Sequence, residues 1–400
     1  MKVLSINTFN IGSTGNIMLN VADIGSKRGV ETVVCCPKSR DNMKKTVENQ
    51  ILMGDRISRN LHIRLSNITG REGTFSYLAT RKLIRQIDAF APDIIHLHNV
   101  HGWYINLPLL FKYIKKKNIR TVWTLHDCWS FTGHCPHFTL EKCYKWKSGC
   151  YGCPKYREYP NSYVDNSKYM YKLKKKWFTG VKDMTIVTPS KWLADLVKQS
   201  YLQEYPVTVI NNGINLDVFE PVESDFREKY GCQDKKLLLG VAFDWGFRKG
   251  LDVFVELAKR LGDDYRIVLV GTNDEVDKEL PDNVISIHRT QNQKELAKIY
   301  TAADLFVNAT REDTFPTVNM EALACGTPVL TFRTGGSPEM LDDSCGSVVG
   351  YDDVDAMEKE IIRICQDRPY SKEACLERAK SFNMYDRFEE YIDLYERGHD

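Results

Sequence analysis

The 400-residue sequence has no run approaching the ~18 uninterrupted apolar residues that a membrane-spanning helix requires. Its opening, MKVLSINTFNIGSTGN, carries one lysine followed by polar groups. It therefore lacks the apolar centre of a secretory signal and reads as a first strand, so a cytoplasmic protein is expected. Internal repeats and low-complexity tracts are missing. No motif of a nucleic-acid recognition fold is present, and nucleic acid is not expected as a partner. Formal net charge is only +2. What remains is a soluble composition, 42% hydrophobic and 27% charged, over a length that exceeds one ordinary core and implies two domains.

The small net charge conceals a division. Residues 1–200 hold 32 Lys+Arg against 14 Asp+Glu, a net of +18, and residues 201–400 hold 23 against 39, a net of −16. A basic half attracts phosphate or anionic lipid. Much of the excess lies in KYIKKK (Lys112–Lys117) and in KYMYKLKKKWFTGVK (Lys168–Lys182). In the second segment Tyr169, Met170, Tyr171, Leu173, Trp177 and Phe178 interleave with lysines, which suits either an anionic membrane surface or a solvated helix face.

Short β-branched runs alternate with helical patterns along the whole chain. Strands are expected at Lys2–Asn7, Glu31–Cys36, Asp93–Asn99, Thr121–His126, Thr185–Pro189 and Val207–Asn211. The second half adds Lys236–Phe243, Arg266–Gly271, Val284–His288, Leu305–Asn308 and Pro328–Phe332. Between them, Leu251, Phe254, Val255, Ala258 and Leu261 repeat at helical spacing up to Gly262. Such alternation implies parallel sheets covered by helices. The series begins afresh near Lys236. The expected organisation is an α/β protein of two Rossmann-like domains, residues 1–205 and 206–375, facing a central cleft, with a C-terminal helix over 376–400 returning to the first. Ligands are expected beyond the carboxyl ends of the strands.

The most informative stretch is Asn308–Phe332, NATREDTFPTVNMEALACGTPVLTF: a strand end, an acidic loop, a helix from about Thr317, and the next strand. Pro316 stands where a helix begins, because its missing N–H is not needed there. The N–H groups of Thr317, Val318 and Asn319 are then available to a diphosphate. Glu321, one turn further in, is placed to accept from ribose hydroxyls, and Glu312 and Asp313 to reach hydroxyls of a sugar. Asp313-x7-Glu321, followed by EALACGTPV and TGGSPE (Thr334–Glu339), resembles the signature of family-four retaining glycosyltransferases of the GT-B fold. Asp stands where the family more usually has Glu, and Glu312 precedes it by one residue, so either carboxylate can be the one that meets the sugar.

The resemblance extends over nearly the whole chain. Asn211-Asn212-Gly213 resembles the family's turn into the second domain, which places Asn212 at the donor. RKG at Arg248–Gly250 resembles the family's Lys-Gly, in which Lys249 neutralises the donor diphosphate. Asp244 occupies the position of the family's preceding Arg, and Arg248 is the candidate substitute. Gly12-Ser13-Thr14-Gly15 resembles the glycine-rich loop, with Gly12 and Gly15 admitting close approach of donor phosphate or acceptor. His126, in TLHDCW, matches the histidine that borders the donor sugar and the reacting centre. His96, in PDIIHLHN, is expected to be a core residue. The implied activity is transfer of a sugar from a nucleotide sugar, UDP- more than GDP-linked, with retention and without an obligatory catalytic metal. The implied acceptor is a saccharide, lipid-linked, in surface-polysaccharide synthesis at the inner face of the membrane. A sugar-nucleotide epimerase and a non-catalytic sugar- or nucleotide-binding protein are the alternatives.

Twelve cysteines in a cytoplasmic chain argue against a disulfide framework. Four of them, Cys135, Cys143, Cys150 and Cys153, crowd into a C-x7-C-x6-C-x2-C segment within GHCPHFTLEKCYKWKSGCYGCP, Gly133–Pro154. Its closing C-x2-C suits one structural zinc ion, with His134 and His137 as substitute ligands. Free thiols and disulfides are the other readings of this insertion.

Overall fold

A computed structural model describes residues 1–397. The chain divides into two compact units, Met1–Asn211 with Arg387–Asp400, and Asn212–Asp386. Unit 1 contains β1 (Lys2–Ile6), β2 (Glu31–Pro37), β3 (Gln50–Met53), β4 (Ile94–Leu97), β5 (Arg120–Thr124), β6 (Met184–Thr188) and β7 (Val207–Val209). They form one parallel sheet in the order β3-β2-β1-β4-β5-β6-β7. Unit 2 contains β8 (Lys236–Val241), β9 (Tyr265–Val270), β10 (Val284–Ile287), β11 (Leu305–Asn308), β12 (Val329–Phe332) and β13 (Gly346–Val349). Its sheet is also parallel, in the order β10-β9-β8-β11-β12-β13.

Every residue of β4, β5, β11 and β12 is buried, as expected for central strands covered by helices on both faces. Strand order reverses between β1 and β4 in unit 1 and between β8 and β11 in unit 2. Loops leaving these neighbouring strands diverge to opposite faces and open a crevice at their carboxyl ends. The fold thereby fixes where each unit can hold a ligand.

Three expectations need correction. β3 and β13 were not expected from the sequence; both are four-residue edge strands. The helical segment expected near the C-terminus is two helices, Lys372–Lys380 and Met384–Glu396. Asn383 between them bridges Ile214 in parallel, and Ile214 exchanges backbone hydrogen bonds with Phe382 and Met384, so the chain is extended there. Residues 398–400 of the expected 376–400 helix lie outside the described residues. From Arg387 onward the last helix packs within unit 1, where Tyr395 OH lies 2.6 Å from His96 Nδ1.

The third correction concerns the basic aromatic segment. Helix Ser167–Phe178 turns Met170, Tyr171, Trp177 and Phe178 into the core, together with Lys174. Lys174 Nζ donates to the Trp129 carbonyl and sits 3.5 Å above the Trp129 ring. Burial lowers its pKa to about 7, against the opposing attraction of Glu72. Lys168, Lys172, Lys175 and Lys176 stay exposed. Tyr171, Trp177 and Phe178 therefore have a structural task, and of the segment's aromatics only Tyr169 stays exposed. Among the described residues, no helix is long and apolar enough to cross a membrane.

Candidate functional site

In unit 2 two loops interlock at the switch point. The first follows β8 and ends in a short turn, Phe247–Lys249, before helix Leu251–Arg260. The second follows β11 and runs through Arg311, Glu312 and Asp313 to helix Thr317–Ala324. The Arg311 N–H donates to the Arg248 carbonyl at 2.9 Å, and Arg248 Nη1 reaches the Glu312 carbonyl at 3.4 Å. Close contact is possible because Gly250 (φ +78°) has no Cβ; one would lie 2.3 Å from the Ala309 carbonyl. A Cβ on Gly335, in the loop after β12, would overlap the Asp313 carbonyl.

Lys249 Nζ and Asp313 Oδ2 meet at 2.7 Å, with both side chains one-fifth exposed. Glu312 is buried. Arg311, 4% exposed, forks onto both oxygens of Asp252 at 2.8 Å and onto Asp352 at 2.7 Å. Its guanidinium also covers the Phe247 ring at 3.9 Å. A buried arginine held so tightly fixes the Lys249 turn against the Asp313 loop and is not free for a ligand.

Helix Thr317–Ala324 begins after Pro316, whose side chain caps nothing. Its N-terminal N–H groups are thus oriented donors in a positive dipole end. Asn319 anchors this helix: it accepts from Asn308 Nδ2 and donates to Ser337 Oγ, both at 2.7 Å, and Ser337 meets Thr331 at 2.8 Å. Glu321 accepts from Tyr300 OH at 3.1 Å and from the Thr317 hydroxyl. Burial outweighs both bonds and pushes its carboxyl up to about 7.

In unit 1 the loop after β1 leads into helix Gly12–Lys27. A Cβ on Gly15 would lie 2.7 Å from the Asn10 backbone, so the first helical turn folds onto the loop only with glycine there. Gly12 opens the helix with φ +72°. Thr8 Oγ1 donates to the Asn99 and His101 carbonyls, which joins this loop to the one after β4.

Four polar side chains meet beyond β4 and β5. His98 Nδ1 and His126 Nε2 lie 3.1 Å apart with stacked rings. His101 Nε2 contacts Asp127 Oδ2 at 3.0 Å, and His101 Nδ1 contacts Tyr159 OH at 2.7 Å. His98, His101, His126 and Asp127 line one small recess. Burial lowers His126 to about 4, against the attraction of Asp127, and so keeps its ring neutral at pH 7. Burial alone would raise Asp127, but the charge and hydrogen bond of His101 hold it at about 2. His96 is a core residue, bound to Thr124 at 2.8 Å and Tyr395 at 2.6 Å.

The sequence-expected residues therefore fall into groups within each unit. Arg248, Lys249, Glu312 and Asp313 come together on the two interlocked loops, beside helix residues Thr317, Val318 and Glu321. Asn212 is buried at the start of unit 2, where a Cβ on the adjacent Gly213 would strike Met384 at 2.4 Å, a packing reason for the turn. Gly12, Gly15 and His126 belong to unit 1. Asn319, whose N–H was expected to face a diphosphate, donates it to the Pro316 carbonyl at 3.2 Å. His101, Asp127, Tyr159 and Arg311 were missed as functional candidates. Only His101 and Asp127 had a signal, since each lies three or four residues beyond a buried strand, close to another histidine.

Comparison with known proteins bears on both units. The description Glycosyltransferase Family 4 matches residues 15–218, and Glycosyl transferases group 1 matches residues 235–367. The chain is 27% identical over 323 residues to a putative colanic acid biosynthesis glycosyl transferase, WcaC, of Escherichia coli K12, covering 76% of each. Among solved structures, a sucrose-phosphate synthase from Thermosynechococcus elongatus superposes with a TM-score of 0.73 at 16% identity, covering 99% of this chain and 98% of that one. Anabaena Alr3699/HepE, in complex with UDP and glucose, gives a TM-score of 0.70 at 13% identity over 99% of both chains. These two likenesses speak to the GT-B fold.

Proposed function

Because the chain belongs to glycosyltransferase family 4, we propose that it moves one sugar from a UDP-sugar to a lipid-linked saccharide during surface-polysaccharide synthesis, with retention at the anomeric carbon. The observation that carries the reading is the group in unit 2: the Lys249–Asp313 pair beside an uncapped helix N-terminus whose second turn bears Glu321. The relative assigned to colanic acid biosynthesis supports the polysaccharide role, and the neighbour holding UDP supports the base.

In this reading the diphosphate lies at the N–H groups of Thr317 and Val318, where backbone donors and dipole both favour an anion. Lys249 supplies the neutralising charge, held near the site by Asp313 until the donor arrives. Ionised Glu321 accepts the ribose hydroxyls. Asp313 and Glu312 orient the sugar, and Arg248 supports the diphosphate. As the acceptor hydroxyl oxygen bonds to the anomeric carbon, the bond to the phosphate oxygen breaks. The acceptor proton passes to that departing oxygen. Negative charge grows on the diphosphate during this step, and pre-oriented donors there lower the barrier. Neutral His126 borders the sugar; a positive charge there would oppose the developing charge on the anomeric carbon. Lys249 and the helix terminus provide the charge stabilisation, so no catalytic metal is obligatory.

Work is proposed at the cytoplasmic face of the membrane, through the exposed lysines 168, 172, 175 and 176, an electrostatic contact without aromatic insertion. A panel of UDP-, GDP- and ADP-sugars with a lipid-linked saccharide extract tests the activity. Transfer from a UDP-sugar supports the reading. Donor conversion that proceeds equally without acceptor supports the epimerase instead.

A further inference from the structure

Residues 132–166 follow β5 as a long insertion whose regular structure is one short turn, Lys145–Lys147. Its own backbone ladder is therefore too small to hold it. Cys135, Cys143, Cys150 and Cys153 nevertheless line one small recess, walled by Phe138 and Trp146. All four are reduced thiols. Their sulfurs already receive donors: the Gly133 N–H donates to Cys150 Sγ at 3.1 Å, the Lys155 N–H donates to Cys153, and the Cys135 thiol donates to Cys153. These hydrogen bonds fix where the Cys150 and Cys153 sulfurs point, as outer-shell donors do around a metal site. Gly133 permits the approach, since a Cβ there would stand 2.6 Å from Cys150 Cβ.

We propose that Cys135, Cys143, Cys150 and Cys153 bind one zinc ion, and that this closes the insertion so that Tyr159 is held on His101. Four thiolates from turns, the last two as C-x2-C, match a closed structural site with no open position. Among the described residues, only Asp274, Asp277 and His288 already have three ligand atoms within 4.8 Å of one another. Cys135 and Cys153 thus touch, but no third thiol has yet closed on them, and a metal bound in the recess would draw the remaining sulfurs inward about χ1. The link to Tyr159 is short. Asp165 accepts from the Cys153 N–H at 2.9 Å and from the Ser167 N–H at 3.0 Å, tying the cysteine turn to helix Ser167–Phe178. Six residues after Cys153, Tyr159 contacts His101.

The test is the metal content of the full chain, purified under reducing conditions without added metal or chelator. About one zinc per chain is expected, as is loss of it in Cys143→Ser and Cys153→Ser, with UDP-induced thermal shift as the check on folding. Cobalt in place of zinc should give thiolate charge-transfer absorption in the near ultraviolet. Stripping zinc should slow sugar transfer at least tenfold while UDP binding is unchanged. If a serine variant is insoluble, wild-type metal content and protection of the four thiols from a thiol reagent decide. A different metal, a zinc-free protein whose four thiols react freely, or a Cys135–Cys153 disulfide in that protein overturns the zinc site. Unchanged transfer after stripping overturns the positioning of Tyr159.

Discussion

Replacing Glu321 by Gln should stabilise the protein at pH 8 while weakening nucleotide binding. The carboxyl rises from its ordinary 4.5 to about 7 because burial disfavours its charge. Between those two values the unfolded chain has lost the proton and the folded chain keeps it, so folding stability falls as pH rises from about 4.5 to 7 and the full penalty stands at pH 8. At about 1.4 kcal/mol per tenfold, that penalty is roughly 3 kcal/mol. This is a ceiling, since Glu321 keeps some exposed surface. A neutral Gln that keeps the Tyr300 bond avoids it, and a unit of this size gains ~2–4 °C in Tm per kcal/mol. The expected rise is therefore up to about 10 °C at pH 8, shrinking towards zero at pH 5. Calorimetric UDP binding should weaken about 10- to 100-fold, because hydrogen bonds to a charged acceptor contribute ~1.5–3 kcal/mol. Wild-type affinity should improve roughly tenfold from pH 6 to pH 8, beyond any change in the Gln variant, as the carboxyl ionises. A Gln variant that is less stable at pH 8 and binds UDP normally refutes both the buried charge and its ribose contact.

Lys249→Ala should lower kcat/KM by about 10²–10³, as for loss of one charge-stabilising contact, with Tm changed little because its pair with Asp313 is partly exposed; normal kinetics in the folded variant would remove the diphosphate assignment. Asp127→Asn should slow transfer at least tenfold with UDP affinity unchanged, since the His101 pair lies in unit 1; an equal loss of UDP binding argues against this division of labour. Reversing Lys172, Lys175 and Lys176 to Glu should abolish salt-sensitive binding to anionic vesicles in flotation assays, and a wild type that ignores such vesicles at low salt ends the membrane proposal.

The alternating pattern made the sheets legible, and the Asp313–Glu321 stretch made unit 2's candidate site legible, because its residues are consecutive along one loop and helix. The contacts between His101, Asp127 and Tyr159 were not, since they join residues 26 and 58 positions apart. Arg311 was passed over for the same reason: its partners, Asp252 and Asp352, lie on distant segments. The basic helix was misread for a different cause. Met170, Lys174 and Trp177 fall at i, i+4 and i+7, which is a core stripe, but a lysine inside the stripe disguised it. Strands β3 and β13 escaped because an edge strand, half exposed and four residues long, leaves little periodicity.

The central claim is that unit 2 grips a nucleoside diphosphate through Lys249 and Glu321. Titration calorimetry of UDP into the wild type and into the Lys249→Ala and Glu321→Ala variants tests it most directly. The account predicts saturable one-site binding by the wild type, weakened at least tenfold in each folded variant; binding that survives both substitutions unchanged, or no binding of UDP, GDP or ADP by the wild type, contradicts it.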